Sequence, residues 1–317
     1  MPTADCLVAE SAIRYSATMP PIEAVLPYPR IDPVLIKLGP IAIRWYAISY
    51  IAGILCAWWL IAATLRDKNL WKNPPFNGKP PATMDDIGDL VVWATLGIIL
   101  GGRIGWDIFY GTILCTTTPD AAFCGGLPYA FLTHPIRLIA VWEGGMSFHG
   151  GVIGLFVAIW LFCRKRKLDL YMIGDLVTSV APIGLFFGRI ANFINGELWG
   201  RPTNVPWAMI FPRAPDQLPR HPSQLYEACL EGIVLLIILQ FCFRVLRWHE
   251  RPGLISATFF FGYGLFRFFV EFYREPDAPF LGWFTMGMAL CVPLVLAGVI
   301  VYWLALRRPK AAPAKTA

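Results

Sequence analysis

The sequence predicts an all-α, polytopic membrane protein with seven transmembrane helices, and three observations predict it. Of its 317 residues, 56% are hydrophobic and only 15% charged, against about 25% charged in soluble domains, and the mean hydropathy is +0.55. Seven apolar stretches each approach the roughly 20 residues that carry a helix across the hydrocarbon. Lysine and arginine gather in alternate connections between those stretches, as they do when positive charge sets orientation.

Taken in order, residues 1–40 contain Asp5, Glu10, Arg14, Glu23, Arg30 and Asp32 among several prolines. They read as a polar arm without the sustained apolar core of a signal peptide. The seven spans are 41–65, 87–109, 147–163, 172–193, 226–246, 254–272 and 283–306, within one transmembrane domain covering 41–306. The connection after the first span holds Arg66, Lys68, Lys72 and Lys79, and the third opens with Arg164-Lys165-Arg166-Lys167. The fifth holds Arg244, Arg247 and Arg251, and the tail holds Arg307, Arg308, Lys310 and Lys315. These four segments share one side, which is the cytoplasm by the positive-inside rule, so the N-terminus is expected outside and the C-terminus inside. Arg201, Arg213 and Arg220 in the fourth connection run against the trend. The two long connections, 110–146 and 195–225, both fall outside. They are rich in Gly, Pro and aromatic residues, which suits a small folded cap. Residues 307–317 form a basic Lys/Pro/Ala tail with the composition of a disordered segment.

Composition also excludes function classes. The net charge of +6 is spread between apolar runs, as orientation signals are, and does not describe a nucleic-acid surface. The four histidines (His134, His149, His221 and His249) lack metal-ligand spacing, and no CxxC, HExxH, P-loop or Ser-His-Asp order appears, so no metal or other cofactor is implied. Cys56, Cys163, Cys229, Cys242 and Cys291 lie in or beside apolar runs and read as small core residues. Cys115 and Cys124 share one loop, where an oxidising compartment would permit a bridge.

The informative residues are polar groups inside apolar runs. Each costs about 2.5–3.5 kcal/mol at a helix centre on insertion scales, so such groups face the bundle interior and mark sites. In the orientation above, Arg44 and Tyr46, Arg103 and Asp107, His149, Arg189 through Glu197, and Tyr263, Arg267 and Glu271 all fall at the outer level of five different helices. Tyr263, Arg267 and Glu271 are four apart and share a helix face, as do Arg189 and Asn192 at a spacing of three. Gly101/Gly105, Gly150/Gly154 and Gly184/Gly188 are small-xxx-small pairs suited to close helix packing. His221-Pro222-Ser223-Gln224-Leu225-Tyr226-Glu227 reads as a helix start with Ser223 as cap, and Leu198 through Thr203 as a cover over the site. Arginines at headgroup depth suggest an anionic phospholipid ligand, and a histidine there offers a base near neutrality. A transporter would place its polar residues near the midplane beside broken helices, a pattern this sequence lacks.

Several runs, in order, resemble the signature blocks of the prolipoprotein diacylglyceryl transferase family. They are Ile43-Arg44-Trp45-Tyr46, Gly101-Gly102-Arg103-Ile104-Gly105, Gly144 through Gly151, Gly188-Arg189-Ile190-Ala191-Asn192-Phe193-Ile194-Asn195-Gly196-Glu197, His221 through Glu227 and Arg267 through Arg274. The resemblance covers the chain from about Ile31 to Arg308. It implies transfer of an sn-1,2-diacylglyceryl group from phosphatidylglycerol to the lipobox cysteine of a preprolipoprotein in the bacterial inner membrane, with glycerol-1-phosphate released and no metal or nucleotide used. It supports catalytic roles for His149, Arg267, Arg189, Glu271, Tyr46 and Asn192. It supports lipid-binding roles for Tyr263, Glu197, Gly150, Gly151, Gly200, Arg103 and His221, along with Arg189 and Arg267. The general base stays open between His149 and a carboxylate such as Glu271.

Overall fold

The computed structural model describes residues 26–29, 31–39, 41–74, 76–108, 145–276, 279–281 and 284–308. The first 25 residues, most of the connection 110–146 with Cys115 and Cys124, and residues 309–317 lie outside the described residues. Among the described residues the α-helices are α1 (Trp45–Arg66), the single turn α2 (Lys68–Trp71), α3 (Met84–Ile108), α4 (Phe148–Arg166), α5 (Leu170–Asn195), α6 (Ser223–Arg244), α7 (Leu254–Val270) and α8 (Met286–Arg307). Six of them are long and apolar enough to cross a membrane, while α7 has 17 residues and is shorter. Each predicted span coincides with one helix, and the fold is that of a polytopic membrane protein. Large apolar side chains such as Trp59, Ile237, Leu296 and Ile300 are exposed, as expected where the solvent is lipid.

The first span starts later than its hydropathy suggests. Val34–Leu38 (β1) and Ile41–Arg44 (β2) form an antiparallel hairpin, with Gly39 at φ +60° in its turn. Part of the segment read as a polar arm is therefore folded. The β-branched residues of 41–44 favour the ladder, so Arg44 lies on a strand and the helix begins at Trp45. Short antiparallel pairs also form between Met209–Ile210 (β3) and Pro219–Arg220 (β4), and between Pro279–Leu281 (β5) and Phe284–Thr285 (β6).

The described residues divide into two compact units, one within residues 61–177 and the other within residues 26–60 and 178–308. In the former, α3 opens with a reciprocal cap. The Thr83 hydroxyl accepts from the Asp86 amide, and the Asp86 carboxylate accepts from the Thr83 amide and hydroxyl, satisfying orphan helix-start donors. Trp71 packs edge-on against Phe76 and donates to the Thr64 carbonyl at 2.9 Å. Helices α3 and α4 meet through glycines. A Cβ on Gly101 would stand 2.7 Å from the Gly154 Cα, and one on Gly105 2.6 Å from the Gly150 Cα. Close packing thus accounts for Gly101/Gly105 and Gly150/Gly154. It does not account for Gly184/Gly188, where an added Cβ would meet open space.

In the other unit, α7 lies along α8, with Gly298 against the Phe261 backbone and Gly264 against Val295. Helix α6 widens into a π-helix over Ala228–Val234, a feature that recurs at functional sites. Gly232 there lets the backbone approach Phe186 of α5, since a Cβ would stand 2.7 Å from the Phe186 Cβ. His249 is fully buried, stacked on Phe243 and bonded to the Phe243 carbonyl at 2.7 Å, so its role is structural. Cys163, Cys242 and Cys291 are buried as expected, whereas Cys56 and Cys229 are exposed.

Candidate active site

The C-terminus of α5 sets the first part of the site. Gly196 sits at φ +63°, its amide donates to the Phe193 carbonyl, and the Glu197 amide donates to the Asn192 carbonyl at 3.1 Å. These paired bonds are a Schellman turn, which folds the chain back over its last helical residues. The turn explains why Glu197 and Asn192, five residues apart, have touching side chains. Asn192 Nδ2 donates to Glu197 Oε1 at 2.8 Å and to the Tyr46 hydroxyl, and Tyr46 in turn donates to Glu197. Tyr46, Asn192 and Glu197, all named from sequence, therefore form one hydrogen-bonded triangle.

One turn earlier on α5, Arg189 points at α6. Its Nε stands 2.8 Å from Glu227 Oε2, and its Nη2 3.7 Å from Glu231. Arg267 of α7 reaches the other oxygen of Glu227 at 3.2 Å and pairs with Glu271 at 2.7 Å. Glu271 also accepts from the Thr285 hydroxyl at 2.8 Å. Glu227 is fully buried, while the side chains of Arg189 and Arg267 keep 18% and 11% of their surface. A sequestered carboxylate thus holds two guanidiniums side by side and leaves part of each open to a ligand. Tyr263, one turn before Arg267, stacks on Phe259 among the charges of Glu231, Arg189 and Arg267. The arginine pair, Asn192, Glu271 and Tyr46 were legible as costly polar groups in apolar runs. Glu227 and Glu231 were missed as site residues, although two carboxylates four apart in an apolar run carry the same signal as Arg267 and Glu271.

The segment between α5 and α6 is a folded cover. Gly200 bridges Arg274, donates to the His221 carbonyl and accepts from Arg220 at 3.0 Å. A Cβ there would stand 2.5 Å from the Tyr273 carbonyl oxygen, so only glycine fits. Arg220 is buried and also pairs with Asp216 at 2.6 Å and Glu275 at 2.8 Å. Burial favours a protonated Asp216, but the Arg220 and Leu218 hydrogen bonds outweigh it and hold this carboxyl below its ordinary range. Ser223 does not cap α6. The N-cap is Pro222, and the Ser223 hydroxyl donates instead to the Leu198 carbonyl at 3.0 Å, while Gln224 donates to the Glu197 carbonyl at 2.6 Å. The start of α6 is thereby tied to the Glu197 turn. Trp207 donates to the Tyr226 hydroxyl at 2.6 Å, and that hydroxyl meets His221 Nδ1 at 3.0 Å. Because indole only donates, the phenol's own proton is free for Nδ1. Burial holds the imidazole below its usual pKa, consistent with a neutral acceptor. A cleft of about 340 Å³ opens here, lined by Trp207, His221, Tyr226, Leu230, Phe269 and Tyr273.

The remaining sequence-predicted residues lie in the other unit. Arg103 is buried, 3.5 Å from Asp107 and 3.5 Å from the Gly145 carbonyl. His149 is exposed in the first turn of α4, edge-on to Phe148 and next to the cap formed by Ser147 and the Gly150 amide. Gly150 is taken up by the contact with Gly105, and Gly151 faces Ile98. No group of three or more metal-ligating side chains occurs among the described residues.

The sequence of the chain matches those of known proteins. The profile of the prolipoprotein diacylglyceryl transferase family matches residues 33–304. The chain is 49% identical over 295 residues to the phosphatidylglycerol–prolipoprotein diacylglyceryl transferase of Rhodospirillum rubrum, covering 91% of this chain and 97% of that one. The enzyme of the same name from Azospirillum brasilense is 49% identical over 289 residues, covering 90% and 98%, and that from Allorhizobium ampelinum 47% over 294 residues, covering 92% and 95%. With most of its length matched at this identity, and with the arginine pair and the Tyr46–Asn192–Glu197 triangle falling inside the matched region, the chain belongs to the prolipoprotein diacylglyceryl transferase family.

Proposed function

We infer that the chain transfers the sn-1,2-diacylglyceryl group of phosphatidylglycerol to the thiol of a prolipoprotein cysteine, the first step of lipoprotein maturation. The observation that carries the reading is the joining of Arg189 and Arg267 on Glu227. The thiol, with an ordinary pKa of about 8.5, must lose its proton to become nucleophilic. Its sulfur then bonds the glyceryl carbon, the carbon–oxygen bond to phosphate breaks, and glycerol-1-phosphate departs with the bonding electrons. The two guanidiniums are a fork for the phosphate and stabilise the charge that grows on its leaving oxygen. Asn192, Tyr46 and Glu197 orient the headgroup, with Tyr263 and Glu271 holding Arg267 and with His221, Gly200 and Arg103 in supporting binding roles. The thiol proton passes to His149 or to a carboxylate such as Glu271.

Positive charge in the first, third and fifth connections and the tail supports an outside N-terminus, an inside C-terminus and seven spans in the inner membrane. The arginine pair would then face the periplasmic side, where a lipobox cysteine emerges. The deciding assay supplies phosphatidylglycerol and a lipobox peptide and looks by mass for a diacylglyceryl adduct on cysteine. Arg267→Ala is expected to lower the yield rate about 100-fold or more. If His149→Ala keeps full activity, the base is a carboxylate.

A further inference from the structure

The matched region begins at residue 33, yet the residues just before it are built into the Glu197 turn. Leu26 donates from its amide to the Ala208 carbonyl at 3.1 Å and bridges Met209 of β3. Two residues on, Tyr28 packs against Phe193 and Phe211, with ring centroids 5.4 and 5.2 Å apart. These rings belong to a small buried cluster that also includes Ala214 and is flanked by Trp199 and Leu225. The Tyr28 hydroxyl meets the Phe193 carbonyl at 2.5 Å and the Ile194 carbonyl at 3.1 Å. Both belong to the last turn of α5, whose carbonyls have no partner within the helix. The Phe193 carbonyl also receives the Gly196 amide, so Tyr28 closes on the same turn that sets Glu197 over Asn192. A Cβ at Gly196 would stand 3.2 Å from that hydroxyl. Pro27 and Pro29 flank Tyr28 and fix their own φ angles, which limits the freedom the strap loses on docking. Burial pushes the Tyr28 phenol above its ordinary pKa, partly offset by Arg213, so it remains a proton donor at physiological pH.

We propose that Tyr28 is a positioning residue for phosphatidylglycerol, acting through the end of α5 by holding the Asn192–Glu197 turn in the geometry that receives the headgroup. The proposal rests on the reading in which Asn192 and Tyr46 orient that headgroup.

The test is steady-state transfer by the full-length enzyme with phosphatidylglycerol in defined mixed micelles and a lipobox peptide in excess. Tyr28→Phe keeps the ring and its packing and removes only the hydroxyl. It is expected to raise the apparent KM for phosphatidylglycerol about threefold to tenfold, with kcat held within about twofold. In the Tyr28→Phe/Asn192→Ala double variant the two KM effects should fall short of multiplying, because both act on one turn. A lowered thermal midpoint with KM unchanged would make Tyr28 a structural strap and overturn the proposal. So would an Asn192→Ala variant impaired in KM beside a wild-type Tyr28→Phe. If Asn192→Ala itself binds and turns over phosphatidylglycerol normally, the headgroup reading falls, and this inference with it.

Discussion

Glu227 owes its weight to the two cations it separates. It is fully buried, and each oxygen faces one guanidinium. Removing one member of a buried charge network leaves the others uncompensated, at about 3–5 kcal/mol. Glu227→Ala is therefore expected to lower the thermal midpoint in detergent sharply and to abolish transfer, whereas Glu227→Gln keeps the shape and should cost less stability. Equal stability of the alanine variant and the parent would refute the bridge. His221 offers a pH-dependent reading. Burial depresses its folded pKa, so the unfolded chain takes up the proton first. Its contribution to stability is present above the ordinary value of about 6.5 and is lost as pH falls through the lower folded value. Wild type should thus lose more thermal stability between pH 7 and pH 5 than His221→Gln, and parallel curves would contradict the assignment. At this scale the sequence was informative where cost was visible: Arg189, Arg267 and Glu271 stand out as charges in apolar runs. Glu227 escaped because it lay in a motif read as a helix start. The Schellman turn that brings Glu197 onto Asn192 depends on one residue at positive φ, which the glycine permits but does not announce.

Helices were the most legible elements, because hydrocarbon thickness dictates a long apolar run; a helix occupies each predicted stretch with ends a few residues from expectation, and six of these helices are long and apolar enough to cross a membrane. The β1–β2 hairpin was not legible, since its β-branched residues merge with the apolar run of the first helix. Nor was the π-helix of α6, which has no local composition signal and contains the Gly232 that seats on Phe186. The glycine pairs separate in a testable way. Gly154→Leu drives a side chain into the α3 backbone, where overpacking costs about 1–3 kcal/mol or more. Gly184→Ala meets open space and removes a poor helix former, a gain of up to about 1 kcal/mol. Thermal midpoints should move in opposite directions, and a matched fall in both would show that small-residue spacing alone decides.

For the molecule as a whole, the loop charges make a prediction that does not depend on chemistry. A reporter that is active only in the cytoplasm should work when fused after Arg308 and fail when inserted after Gln217, and the reverse pattern would invert the topology. The short helix α7 has a further consequence. At 1.5 Å per residue, its 17 residues rise about 26 Å, less than the roughly 30 Å of an average hydrocarbon slab. In the proposed seven-span topology, lipid tails beside it must compress, or the polar groups at its ends must stretch to reach water. Since Arg267 and Glu271 sit at one such end, the proposed topology puts a thinned bilayer at the proposed substrate site, and turnover should decline as the surrounding acyl chains are lengthened.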